Sequence, residues 1–356
     1  MGGTFTFKGK VVGYFGGNVF TSGDDGAGGT GGGGTGGWGN GTSSSGPTGS
    51  VPPPGQNRSS ETWYQAGGST PGSYNWGPDI TSNATDALYL LEFLDNILLE
   101  ILFDGFQRLN GGDWNHLYPK SIVDTIGAMS AQALVHRSTS TDTLLHFKKP
   151  LNSMCQYTIP NENIDSFLHA TLSVLLLEIG VLIDVSATLA ATEPWLVPVL
   201  TSEVGAKARM IAVVNMMKGH LAAAAVREAV LPGALAWSYA QSNYIQSCPE
   251  TIANMPKTPF PPLKVTRTET STDKKRVISV IVQLDAGSNT GSLFIAWIGP
   301  WGSHGYTSVN AQGVAEVPEL MYGDVWLVLT NKEGMPLHGI ADQTVAGPYL
   351  LWVGQP

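Results

Sequence analysis

Residues Ser173–Ala191 read SVLLLEIGVLIDVSATLAA. The run is almost wholly apolar, yet Glu178 stands in its middle and Asp184 follows six residues later. A carboxylate inside such a segment costs several kcal/mol unless it is paired, protonated or bound to a metal. The partner of Glu178 therefore separates two kinds of protein, an enzyme with a metal site and a scaffold without one.

Helical periodicity extends on both sides of that run. NATDALYLLEFLDNILLEILFDGFQRL (83–109) repeats apolar residues at i, i+3, i+4 and i+7 for several turns, with Asn83 or Thr85 as the expected N-cap and Gly111-Gly112 as the end. A second helix is expected over PKSIVDTIGAMSAQALVHRSTSTDTLLHF (119–147) and a third over about 162–191. Pro194 or Pro198 opens a fourth, LVPVLTSEVGAKARMIAVVNMMKG (196–219), and HLAAAAVREAV (220–230) reads as a shorter fifth. Four long helices with short connections read as a bundle.

Residues 1–80 are different. Stretches such as GAGGTGGGGTGG and GPTGSVPPPG cannot bury enough surface to offset the entropy of ordering, so the bland reading is a flexible arm. TFTFKGKVVGYF (4–15) alternates like a strand, however, and Trp38, Trp63, Tyr64, Tyr74 and Trp76 suggest packing on the body or on another subunit. Beyond MPKTPFPPL (255–263) the period changes to two. VTRTETST, RVISVIVQLD, SLFIAWIG, YTSVNAQGVAEVP, DVWLVLTN and GPYLLWVG are short β runs separated by turn residues, six or seven strands that suggest a small β-sandwich. The expected domains are an arm at 1–80, a helical bundle at 81–254, a linker at 255–263 and a sandwich at 264–356.

Composition excludes some classes. Charged residues make up 13% of the 356 and the net charge is −9, with no basic run able to neutralise a line of phosphates, so nucleic acid is not an expected partner. Glu178, Asp184 or Glu203 interrupts the longest apolar runs, so no membrane span is expected. Three sequons, at Asn40, Asn57 and Asn83, point to secretion. The first 20 residues hold no apolar core of signal-peptide length, so the chain is expected to be either a mature form or a protein not secreted by that route. The two cysteines, Cys155 and Cys248, are one disulfide or two buried thiols; low charge and clustered sequons favour the disulfide.

MCQYTIP around Cys155, the apolar helix with Glu178, SEVGAKARM and PGALAWSYAQSNYIQSCP resemble the secreted fungal branch of the ferritin-like family. These are the stress-response and late-sexual-development proteins, with plant desiccation-related proteins as distant relatives. The resemblance covers residues 80–262 and implies a multidomain α+β protein: a ferritin-like four-helix bundle, then the β-sandwich, with the Gly-rich arm in front. It also implies a Cys155–Cys248 disulfide, because that branch carries cysteines at both positions.

Ferritin-like dinuclear centres take a carboxylate from each of two helices and a Glu-x-x-His pair from each of the other two. This sequence contains no Glu-x-x-His. Ala133 stands three residues before His136, and Ala206 three after Glu203. Glu92, with Asp95 or Glu100 as alternatives, His136, Glu178 and Glu203 remain as vestigial metal candidates. Three readings of Glu178 follow. It is a relic neutralised by His136, Lys207 or Arg209; it still binds one metal with His136 and Glu203; or it faces solvent or an interface.

Other chemistry finds little support. No Gly-x-Ser-x-Gly, no Gly-Lys-Ser/Thr phosphate loop and no Cys-x-x-Cys occurs, and paired-carboxylate glycoside hydrolysis has no positive sign. No catalytic residue is assigned. The expected function is a secreted, non-catalytic cell-surface structural or interaction protein without a cofactor, self-associating through the arm or a sandwich edge. The alternative is a ferroxidase-like or oxygen-using enzyme with a reduced iron or manganese site. A second alternative uses Trp297, Trp301 and Trp326 to bind a cell-wall or surface glycan, although core packing is the favoured role of these tryptophans.

Overall fold

The structure, a computed structural model, describes residues 3–7, 10–15, 66–67, 76–111, 113–114, 117–223, 225, 227–249, 258–272, 275–283, 292–300, 304–319 and 321–354. Most of the expected arm lies outside these residues, with Asn40, Asn57, Trp38, Trp63, Tyr64 and Tyr74. So do Trp301 and the first part of the expected linker.

The chain combines helices with small antiparallel sheets, an α+β architecture. The helices are α1 (Ser82–Gly111), α2 (Lys120–His146), α3 (Ile164–Leu189), α4 (Val197–Met217) and α5 (Gly233–Tyr244). α1 packs on α2 and α3, and α3 on α4. Packing is close enough that a Cβ on Gly105 would overlap the Phe167 ring, which explains a glycine inside a helix where it otherwise costs about 1 kcal/mol.

Caps correct the expected boundaries. Thr81, not Asn83 or Thr85, caps α1: its Oγ1 accepts from the Ala84 N–H at 3.3 Å, while Thr85 is buried and donates to the Thr81 carbonyl at 2.8 Å. The Thr81 N–H in turn donates to buried Glu193, which also receives the Trp195 indole N–H, each at 2.8 Å. At α3 the Asn163 side chain accepts from the Ser166 N–H at 2.9 Å. Pro198 lies in the first turn of α4, where a missing N–H costs nothing.

The expected fifth helix at 220–230 is not formed by the described residues there, which are turn, bend and irregular chain. Gly219, with φ 76°, ends α4, and the Leu231 N–H donates to the Gly180 carbonyl at 3.2 Å. Alanine propensity over one short stretch is too weak to override that docking. The helix forms instead over GALAWSYAQSNY, after Pro232. α3 is also long and apolar enough to cross a membrane, contrary to the sequence reading, but most of it is buried against the other helices, so it makes no clear span.

Among the described residues, strands Gly3–Phe7 (β1) and Lys10–Phe15 (β2) pair with each other and not with another sheet. A two-residue connection closes a hairpin at little entropic cost, whereas joining a distant sheet edge orders a long loop. Short strands Gln156–Tyr157 (β3) and Ile245–Ser247 (β4) pair beside the Cys155–Cys248 disulfide, whose residues are 93 apart in sequence.

The C-terminal half holds β5 (Val265–Thr272), β6 (Lys275–Val282), β7 (Leu293–Ile298), β8 (His304–Val309), β9 (Val314–Glu316), β10 (Asp324–Thr330) and β11 (Thr344–Trp352). They form a sheet β5-β6-β9 and a sheet β11-β10-β7-β8, antiparallel throughout. Pairs Leu327/Trp297 and Leu329/Ile295 face the first sheet, packing with Val280, Val282 and Ala315. The alternating pairs Trp326/Ile298 and Val328/Ala296 face the helices and share their core. Burial on both faces explains why LFIAWI and DVWLVLT are continuously apolar. Trp326 meets Tyr239 of α5 edge-on at 5.1 Å, and Trp352 stacks on His220 at 4.0 Å.

Candidate functional site

The inward faces of α1–α4 carry charge. Glu92 and Asp95 are one turn apart on α1; Glu178 is on α3; Glu203 and Lys207 are one turn apart on α4. All five are buried. The Lys207 ammonium donates to Asp95 Oδ1 and to Glu178 Oε2, each at 2.7 Å. One cation therefore ties three helices together inside the core.

Of the four vestigial metal candidates, Glu92 and Glu178 are fully enclosed, Glu203 is buried but for 7% of its surface, and His136 is half-buried with its Nδ1 sealed from solvent and without a hydrogen-bond partner. Burial, then the nearby charges of Lys207 and Arg209, push the His136 pKa well below 6.5. The imidazole is thus neutral and is not the cation that neutralises Glu178. Arg209 is exposed and donates to the Gly205 carbonyl. Lys207 is the partner, and the reading in which Glu178 faces solvent is excluded by its complete burial.

Burial raises the Glu178 pKa well above 4.5, against the opposing pull of Lys207. Burial likewise takes Glu203 up to about 8, with Asp95 adding to the rise and Lys207 and the Thr139 hydroxyl opposing it. Glu92 rises to about 7 for the same first reason, opposed by Arg137 and the Asn152 backbone. Arg137, buried one residue after His136, donates to Asn96 Oδ1 at 3.1 Å. Four carboxyl groups thus face two cations, and burial raises the pKa of three of them, Glu92, Glu178 and Glu203, favouring their protonated forms.

Lys207 itself is held firmly protonated by Asp95, Glu178 and Glu203, which outweigh its burial. A permanently protonated amine is no nucleophile and forms no Schiff base. Among the described residues, no three His, Cys, Asp or Glu side chains are spaced to hold a metal ion. The chemistry of the cluster is that of an internal electrostatic cross-link.

Other expected site residues fall as follows. Cys155 and Cys248 are disulfide-bonded. Asn83 is exposed in the first turn of α1. Trp297 is wholly buried, its indole N–H bonded to Thr307 at 2.8 Å, and Trp326 is buried against α5, so neither presents a face to a sugar. Sequence reading missed the Arg137–Asn96 pair and the Glu193 latch. Adjacent His136-Arg137 inside an apolar helix was the available sign of the first; the second, spanning 112 residues, had none. No protein-family model and no curated protein matches the chain.

Proposed function

We propose that this chain is an extracellular, non-catalytic structural or interaction protein, built on a ferritin-like four-helix bundle in which an ammonium stands where the relatives hold metal. The observation that carries the reading is Lys207, donating at 2.7 Å to carboxylates of two facing helices. A lysine there supplies the positive charge that inward carboxylates require, yet offers no open coordination position and no redox couple. The helical body then serves as a rigid support, with the secreted fungal proteins it resembles as its setting. The Gly-rich front or a sheet edge is the part that associates with other copies or with a surface, since unpaired strand edges accept further strands.

The test is elemental analysis of the purified full chain, with melting measured with and without a strong chelator. Substoichiometric iron and manganese with an unchanged melting temperature is the expected result. Stoichiometric metal whose removal lowers the melting temperature overturns the reading in favour of a metalloenzyme.

A further inference from the structure

A second polar cluster lies outside the Lys207 network, where the end of α4 meets the start of β10. A cavity of about 240 Å³ lies there, lined in part by the exposed Ala222, Ala223 and Ala225 that follow α4. Ala208, Ile211 and Trp326 supply apolar wall; Asn215, Glu228 and Asp324 supply polar atoms. Asn215 is 2% exposed, and its buried Oδ1 has no hydrogen-bond partner. A buried acceptor left unmet costs about 1–3 kcal/mol, so its persistence beside a cavity is a sign of an occupant.

The occupant's chemistry follows from what lines the space. Two carboxyl groups and an amide oxygen offer acceptors to it. An ammonium carries three donors and no acceptor. Lys218 acts on Asp324 from nearby but is not part of the lining, and one cation leaves the pair of carboxylates in excess. Among the described residues no three His, Cys, Asp or Glu side chains are grouped to hold a metal ion, here or elsewhere. The rest of the lining is alkyl and indole, which suits a hydrocarbon tail. A dry cavity of about 150 Å³ takes up benzene, so this one has room for an amine of roughly four to six carbons.

We propose that this cavity binds a small aliphatic ammonium ion, its head among Asp324, Glu228 and the Asn215 amide oxygen and its chain along Ile211, Ala208 and Trp326. Binding is pH-dependent. Burial, with Glu228 adding and Lys218 opposing, lifts Asp324 to about 7, and burial also raises Glu228; Tyr239 also faces Asp324. The amine remains charged throughout this range, so affinity rises as the carboxyls ionise. Between about pH 6 and about pH 8 the gain is about tenfold for one such group.

The probe is n-pentylammonium chloride, titrated into the full chain by calorimetry, with 1-pentanol as the neutral isostere. Saturable binding of the ammonium is expected, with pentanol at least roughly tenfold weaker, the factor of one charge-assisted hydrogen bond. Glu228→Gln, at the partly exposed margin where folding is insensitive, and Asp324→Asn are each expected to weaken the ammonium by a similar factor while leaving pentanol unchanged. Ala208→Leu, which fills the cavity, is expected to abolish both. Three results overturn the proposal: equal binding of ammonium and alcohol, affinity unaltered in both carboxyl variants, or no saturable binding of the ammonium.

Discussion

Lys207→Met removes the ammonium but keeps the length and apolar stem of the side chain, so it opens little cavity. What it leaves is Asp95 and Glu178, both buried and both stripped of a partner at 2.7 Å. Removing one member of a buried ion pair costs about 3–5 kcal/mol, because the remaining charge has neither water nor a counterion. With a shift of about 2–4 °C per kcal/mol in a body of this size, melting is expected to fall by roughly 10 °C. The assay is thermal unfolding followed by circular dichroism. The deficit is expected to shrink in mild acid, where Glu178, whose pKa is raised by burial, takes up a proton. A triple variant, Asp95→Asn, Glu178→Gln and Lys207→Met, removes all three charges together and is expected to recover most of the loss, since replacing a whole buried ionic group is often neutral. A single variant that melts within a degree or two of the parent, or a triple variant no better than the single one, would refute the desolvated cross-link.

Stability of the parent is expected to fall as pH rises through neutrality. Glu203 has its pKa raised in the folded state from an ordinary 4.5 to about 8, so the folded chain holds a proton there that the unfolded chain releases. That contribution is fully present below about 4.5 and is lost as pH rises through the folded value; Glu92, raised to about 7, acts in the same direction. Glu203→Gln is expected to flatten the slope of melting temperature against pH, and an unchanged slope counts against the buried acid. Reduction, or Cys155→Ser with Cys248→Ser, opens a link between residues 93 apart. The chain-entropy model puts its worth at about 4–5 kcal/mol. Melting unaffected by reductant under denaturing-scan conditions would show that the link contributes nothing.

The coarse fold was legible because its signals are local and repeated. Apolar spacing over 83–109 marks α1 without reference to anything else, and DVWLVLT is apolar at every position but its ends, which a strand buried on both faces requires. The misses share a physical cause. Whether Thr81 or Asn83 caps α1 depends on where Glu193, far along the chain, holds the Thr81 N–H. Whether 220–230 coils into a helix depends on Leu231 docking against Gly180. Whether α3 reads as a membrane span or a core helix depends on the neighbours that bury it. In each case local propensity was outweighed by a tertiary contact that the sequence does not display.

The candidate site shows the same division at the level of single atoms. An acid at the centre of SVLLLEIGVLID announces that a partner exists, since an unpaired charge there is too costly to persist. The sequence also confines the partner to the few cations in an otherwise apolar set of helices. It does not choose between His136, Lys207 and Arg209, because helix rotation decides which of them turns inward. Lys207 lies four residues from Glu203 and so shares its inward face, while Arg209, two residues further on, is rotated by roughly 200° and reaches solvent. His136 does turn toward the cluster, but burial and the charge of Lys207 keep it neutral. Once the ammonium sits between Asp95 and Glu178, Glu203 shares that same cation and Glu92 has Arg137. Burial favours their protonated forms, which ties the pH dependence of folding to the arrangement.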